Sequence, residues 1–101
     1  MILSPYQTVT RDFAFILDQS VTADQLIRTL QKIDKVLIQD IDIFDVYSGD
    51  KLPQGKKSIA IQVRLQALDR TLSEEDLNTF SNNLIQAVEK NCGGVLRNAW
   101  A

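Results

Sequence analysis

Histidine is absent from the chain, and cysteine occurs once, at Cys92. Without an imidazole there is no usual general acid–base group and no Ser-His or Cys-His nucleophile pair. A lone cysteine cannot close an internal disulfide, and with no histidine in the chain a zinc site is not expected. This sparing use of cysteine fits a reducing, cytoplasmic compartment. No glycine-rich phosphate loop follows a strand pattern. Apolar runs last only a few residues, so nothing reads as a membrane span, and MILSPYQ lacks the basic and apolar regions of a signal peptide. Positive charge is not in excess either. A net charge of −2 and an isoelectric point near 4.9 argue against a free-standing, non-specific nucleic-acid binder. They leave room for a module that reads a few bases while a larger assembly supplies most phosphate contacts.

What is present suits one globular domain. The chain has 101 residues, 45% of them hydrophobic and 24% charged, enough for a single core and too short to divide. Residues 9–18 alternate, with Val9, Arg11, Phe13, Phe15 and Leu17 on one face and Thr10, Asp12, Ala14 and Ile16 on the other. Thr22 and Gln25 have capping-box spacing ahead of the stripe Leu26, Ile27, Leu30 and Ile33, which predicts a helix over 23–33. Residues 36–47 form a second strand with a phase break: Ile41 and Ile43 share one parity, Phe44 and Val46 the other. The break predicts a β-bulge near Ile43–Phe44, with Phe44 and Val46 inward and Asp45 and Tyr47 outward. Residues 58–65 alternate cleanly, with Ser58, Ala60, Gln62 and Arg64 outward. Ser73 and Asp76 open a second helix that buries Leu77, Phe80, Leu84 and Val88 and ends at Gly93–Gly94; a short strand, 94–97, closes the chain. The carboxylates Glu74 and Glu75 fall in that helix's first turn, where they complement its dipole.

The order is βαββαβ. Right-handed crossovers put both helices on one side of a four-stranded antiparallel sheet, an α+β ferredoxin-like sandwich. The helix-free face then carries small residues (Ala14, Ser58, Ala60), an aromatic hydroxyl (Tyr47) and an acceptor (Asp45). Single-stranded RNA is held on such faces by stacking of splayed bases and hydrogen bonds to their edges. Arg11, Lys56, Lys57, Arg64 and Arg97 could meet phosphates around the floor. The competing reading is a ferredoxin-like protein-interaction or regulatory domain, but a protein contact wants a contiguous apolar centre, and Thr10, Asp12, Gln62 and Arg64 are polar. A hydrolase of acyl phosphates on the same scaffold needs an anion-cradling loop after the first strand, and DQSVTAD is acidic.

Three pieces, in order and at matching separations, carry a family resemblance: TRDFAF, FDVYSGDKLPQGKKSIA and LDRTLSEEDL. With SPYQTVTRDFAFILD and GGVLR they make residues 4–97 resemble the C-terminal ferredoxin-fold anticodon-binding domain of bacterial phenylalanyl-tRNA synthetase β subunits. The resemblance implies a module that holds the anticodon loop of phenylalanine tRNA through Ala14, Asp45, Tyr47, Ser58 and Arg97, with Arg11, Lys57 and Arg64 as further candidates. It implies no catalytic residue, metal or cofactor in this segment. The ATP and Mg chemistry of that enzyme lies elsewhere, in a heterotetramer of α and β subunits, and no membrane partner is expected. The chain is expected to be a C-terminal piece of a longer protein, with Met1 an added start or an internal residue, and Trp100 has no assigned role.

Overall fold

The computed structural model describes residues 7–49, 51–67 and 69–100, the last three by backbone alone. Met1, the start of the first motif (4–6), Asp50, Leu68 and the side chain of Trp100 lie outside the described residues. The elements are β1 (Val9–Asp18), α1 (Ala23–Gln31), β2 (Ile38–Tyr47), β3 (Lys56–Leu65), α2 (Glu74–Cys92) and β4 (Val95–Trp100). The sheet order is β2-β3-β1-β4 and every pairing is antiparallel. Strand alternation decides which face is covered. Phe13, Phe15, Leu17, Ile59, Ile61, Val63 and Leu65 are all buried and join Leu26, Leu30, Leu77, Phe80, Leu84 and Val88 in one cluster. Both helices therefore cover one face, and among the described residues no element covers the other. No helix among the described residues is long and apolar enough to cross a membrane.

Side chains set the helix ends. The Thr22 hydroxyl accepts from the Gln25 amide at 3.0 Å to start α1. The helix stops at Gln31 rather than at Ile33, because Asp34 offers the backbone another partner: its Oδ1 accepts from the Val36 and Leu37 amides at 3.0 and 2.9 Å. That turn also delays β2 to Ile38. At α2 the Ser73 hydroxyl accepts from the Asp76 amide at 3.1 Å while Asp76 Oδ2 accepts from the Ser73 amide at 2.9 Å. The helix ends on Gly93, in a left-handed conformation with φ 65°. A Cβ on the following Gly94 would stand 2.5 Å from Leu17 Cδ2 and 2.7 Å from Val88 Cγ1, so only glycine lets β4 begin this close to the core. Cys92 is buried, with its sulfur 3.5 Å from the Thr29 hydroxyl.

The capping box makes a pH-dependent prediction. The Ser73 amide first, and Arg70 next, hold the Asp76 carboxyl below its ordinary pKa. A depressed carboxyl stabilises the fold above its unfolded pKa, and the contribution is lost as pH falls through the folded value. Ser73→Ala should cost about 1 kcal/mol at neutral pH. In thermal melts, the gap between the parent chain and Asp76→Asn should narrow as pH falls through and below the ordinary carboxylate range. A gap unchanged down to pH well below that range would rule out the ionised carboxylate as its source.

The edge strands carry the irregularities, and one expectation is corrected there. In β2 the register runs Ile43 opposite Ile61, then Asp45 opposite Ala60, so Phe44 is the extra residue of the bulge. Phe44 was expected inward. Instead it lies half exposed over the open face, lining a shallow pocket with Asp12, Asp42 and Gln62. An inserted residue restores the old parity only beyond itself: Val46, opposite Ile59, points to the helix side, and Phe44 joins Asp45 across from Ala60. Val46 is still exposed, because β2 is an edge strand that the helices do not reach over its whole length. In β4 a second shift pairs Ala14 with Asn98 and Phe15 with Leu96, leaving Arg97 as the extra residue.

Candidate nucleic-acid interface

Across the open face, register places side chains in rows. One row runs Tyr47, Ser58, Ile16, Val95 and the next runs Asp45, Ala60, Ala14. Four strands about 4.8 Å apart make a patch about 14 Å wide, and two rows make it about 7 Å deep, the footprint of one or two bases. Arg97, freed by its bulge, reaches over β1 and its Nη1 donates to Ser58 Oγ at 3.4 Å. Ala14, Asp45, Tyr47, Ser58 and Arg97, drawn from all four strands, thus meet in one place. Ser58 is the one buried polar side chain of the described core.

Tyr47 is held from its own loop. A Cβ at Gly49 would stand 2.6 Å from the Tyr47 hydroxyl and 2.9 Å from its Cζ, so the ring occupies space that any other residue would claim. The loop after it is pinned rather than loose. Gln19 donates through Nε2 to Ser48 Oγ at 2.9 Å and to the Lys56 carbonyl at 3.0 Å, and its amide donates to the Gly55 carbonyl at 2.9 Å. Leu52 tucks under the loop, and Gly55 turns the chain back with φ 81°. The length and composition of FDVYSGDKLPQGKKS follow from this: the segment both presents Asp45 and Tyr47 and locks the turn that positions them.

The charges are unevenly placed. Asp12, Asp42 and Asp45 face the open side by register. Arg64 lies there too but sits 3.8 Å from Asp40 Oδ2, and Lys56 is paired with Asp18 at 2.6 Å. Among the described residues Arg97 makes no ion pair, which leaves it as the cation available at the centre. Arg11 and Lys57 are not brought to the floor. They stand opposite Val63 and Leu17, on the parity of the helix-bearing face. Phe44, Gly49 and Gln19 are parts of the site that sequence reasoning did not select. For Phe44 the signal was present, since the phase break marked the bulge but not which residue would be extra. Among the described residues no group of three or more histidine, cysteine, aspartate or glutamate side chains could hold a metal. The patch can therefore stack, donate and accept hydrogen bonds and meet a phosphate.

A family model described as a ferredoxin-fold anticodon binding domain matches residues 4–97. The chain is 48% identical over 95 residues to the phenylalanine–tRNA ligase beta subunit of Rickettsia prowazekii, covering 94% of this chain and 12% of that one. It is 47% identical over 97 residues to the same subunit of Rhodospirillum rubrum, covering 96% of this chain and again 12% of the relative. The chain therefore spans only a small part of the length of the curated relatives it matches. Among solved structures, a formyltetrahydrofolate deformylase from Pseudomonas putida aligns over 92% of this chain and 29% of that one at 12% identity and a TM-score of 0.47, too distant a likeness to argue from.

Proposed function

The chain belongs to the ferredoxin-fold anticodon-binding domain family, and on that premise we propose that its open sheet face holds the anticodon loop of phenylalanine tRNA, as a module of a phenylalanine–tRNA ligase β subunit. A base stacks on the Tyr47 ring, its edge donates to the Asp45 carboxylate, and the Ser58 hydroxyl adds a third polar contact. Ala14 and Ala60 keep the floor low so that a flat ligand can approach the backbone. Arg97 meets the adjoining phosphate. The segment contributes binding and position. Activation of phenylalanine, with its ATP and Mg, belongs to the rest of an α–β heterotetramer in the cytoplasm. The observation that supports this most is the reach of Arg97 across β1 to the buried Ser58 beside Tyr47. It gathers a cation, a hydroxyl and an aromatic ring over a floor of small residues.

Titration with labelled anticodon stem-loops tests the proposal. Phenylalanine stem-loops should bind with a dissociation constant on the order of 10⁻⁴ M, opposed by the net negative charge, and non-cognate loops more weakly. With Arg11 and Lys57 off the floor and Arg64 and Lys56 in ion pairs, Arg97 neutralises about one phosphate. At roughly −0.7 for each, the log–log salt slope should be near −0.7. Equal affinity for cognate and scrambled loops would reject the proposal and favour a protein partner for this face.

A further inference from the structure

We propose that Gln19 is a positioning residue for anticodon binding, which acts by fixing the stretch of backbone against which the Tyr47 ring rests. Its role rests on the anticodon reading of the open face and adds to it a residue that lies beyond the end of β1, off the floor. The β2–β3 ladder ends at the pair Tyr47–Ser58, while β3 runs on through Lys57 and Lys56 beside Leu17 and Asp18 of β1. Ser48 and Gly49 therefore follow the last rung of β2, and Tyr47 stands next to that gap. The Gln19 side chain bridges it. Its Nε2 donates to Ser48 Oγ at 2.9 Å on one side and to the Lys56 carbonyl at 3.0 Å on the other. The Gln19 backbone amide adds a bond to the Gly55 carbonyl at 2.9 Å.

The chemistry of the bridge depends on the amide. A carbonyl only accepts, so the nitrogen of Gln19 must face Lys56, and its two hydrogens match the two acceptors. A carboxylate at this position has no hydrogen for the Lys56 carbonyl, and asparagine is one methylene shorter. The Tyr47 ring leans on the backbone that is held. A Cβ at Gly49 would stand 2.6 Å from its hydroxyl, and the Gly49 carbonyl accepts from the amide of the buried Leu52 at 3.1 Å. Gly49 is thus tied from the loop and Ser48 from β1. A ring whose seat is fixed before the ligand arrives loses less freedom when a base stacks on it, so Gln19 raises affinity without touching RNA. The side-chain bonds are exposed, so their effect on global stability is small.

The test compares Gln19→Met, Tyr47→Ala and the double variant with the parent chain. Each is titrated with the phenylalanine anticodon stem-loop, and carbon relaxation of the Tyr47 ring is measured without RNA wherever the ring is present. Gln19→Met keeps the length of the side chain and removes both donors; Gln19 is exposed, so melts should show a folded protein. Gln19→Met should bind at least about threefold more weakly than the parent, and its Tyr47 ring should be more mobile in the free chain. Gln19→Asn, which keeps the amide and loses the reach, should behave in the same way. In the Tyr47→Ala background, Gln19→Met should change affinity by less than about twofold, because the ring through which it acts is gone. A free Tyr47 ring as ordered as in the parent, or an equal loss of affinity with and without the ring, would overturn the positioning role. Parent-like binding by Gln19→Met while Tyr47→Ala is weakened would overturn it too, and the anticodon reading would stand. If Tyr47→Ala itself binds as the parent does, both are overturned.

Discussion

Phe13→Ala is expected to cost about 3–5 kcal/mol of folding stability. Phe13 is 1% exposed in the middle of β1, directly opposite Ile61, and its ring packs 6.2 Å from that of Phe15, centroid to centroid. Truncation leaves a cavity between the sheet and the two helices, and close-packed neighbours relax into it only in part. A domain of this size has roughly 5–15 kcal/mol in total, so the variant should lie near the edge of folding. Asp45→Ala, on the opposite face, should change stability by less than about 0.5 kcal/mol. Urea titrations with a common slope compare them. If Tyr47→Ala or Asp45→Ala proved as damaging as Phe13→Ala, the assignment of the two sheet faces would be wrong.

Tyr47→Ala should have the largest effect on binding. Loss of a stacking ring weakens the cognate stem-loop by about 1–3 kcal/mol, roughly fivefold to more than a hundredfold. The ring is 36% exposed and rests beside Gly49, so its removal leaves the core cluster intact. Arg97→Ala acts differently. It should weaken cognate and non-cognate loops alike and make the salt slope shallower by about 0.7, as expected when one fewer phosphate is neutralised. Lys57→Ala serves as the control, because its register partner is Leu17 and it points to the helix side. A Lys57→Ala effect as large as that of Arg97→Ala would mean that RNA wraps around the sheet edge rather than lying on its open face.

Much of this was legible in the chain because alternation and burial are coupled on a one-sided sheet. β1 begins and ends where its alternating pattern does, and the outward parity of Ala14, Asp45, Tyr47 and Ser58 follows from the inward parity of Phe13, Phe15 and Ile59. Helix starts were legible because Thr22 and Ser73 are local signals. What escaped depends on partners distant in sequence. The phase break at Ile43–Phe44 revealed an extra residue, but only the ladder with β3 shows that it is Phe44 and that its side chain stays on the open face. The reach of Arg97 depends on a β4 bulge set by pairing with β1, a strand from the other end of the chain. Cation roles were the hardest to read. Arg64 and Lys56 face outward but are paired with Asp40 and Asp18, and Arg11 and Lys57 face the other way. A count of basic residues near the site says nothing about which are available.

The most direct test follows backbone amide resonances of the isotopically labelled chain during titration with the phenylalanine anticodon stem-loop. An interface on the open face predicts the largest shifts at Ala14, Asp45, Tyr47, Ser58 and Arg97, with Leu26, Leu30, Leu84 and Val88 on the helix side nearly unchanged. Shifts concentrated on α1 and the groove it forms with β2, around Ile27, Ile38 and Ile41, with the open face silent, would contradict it.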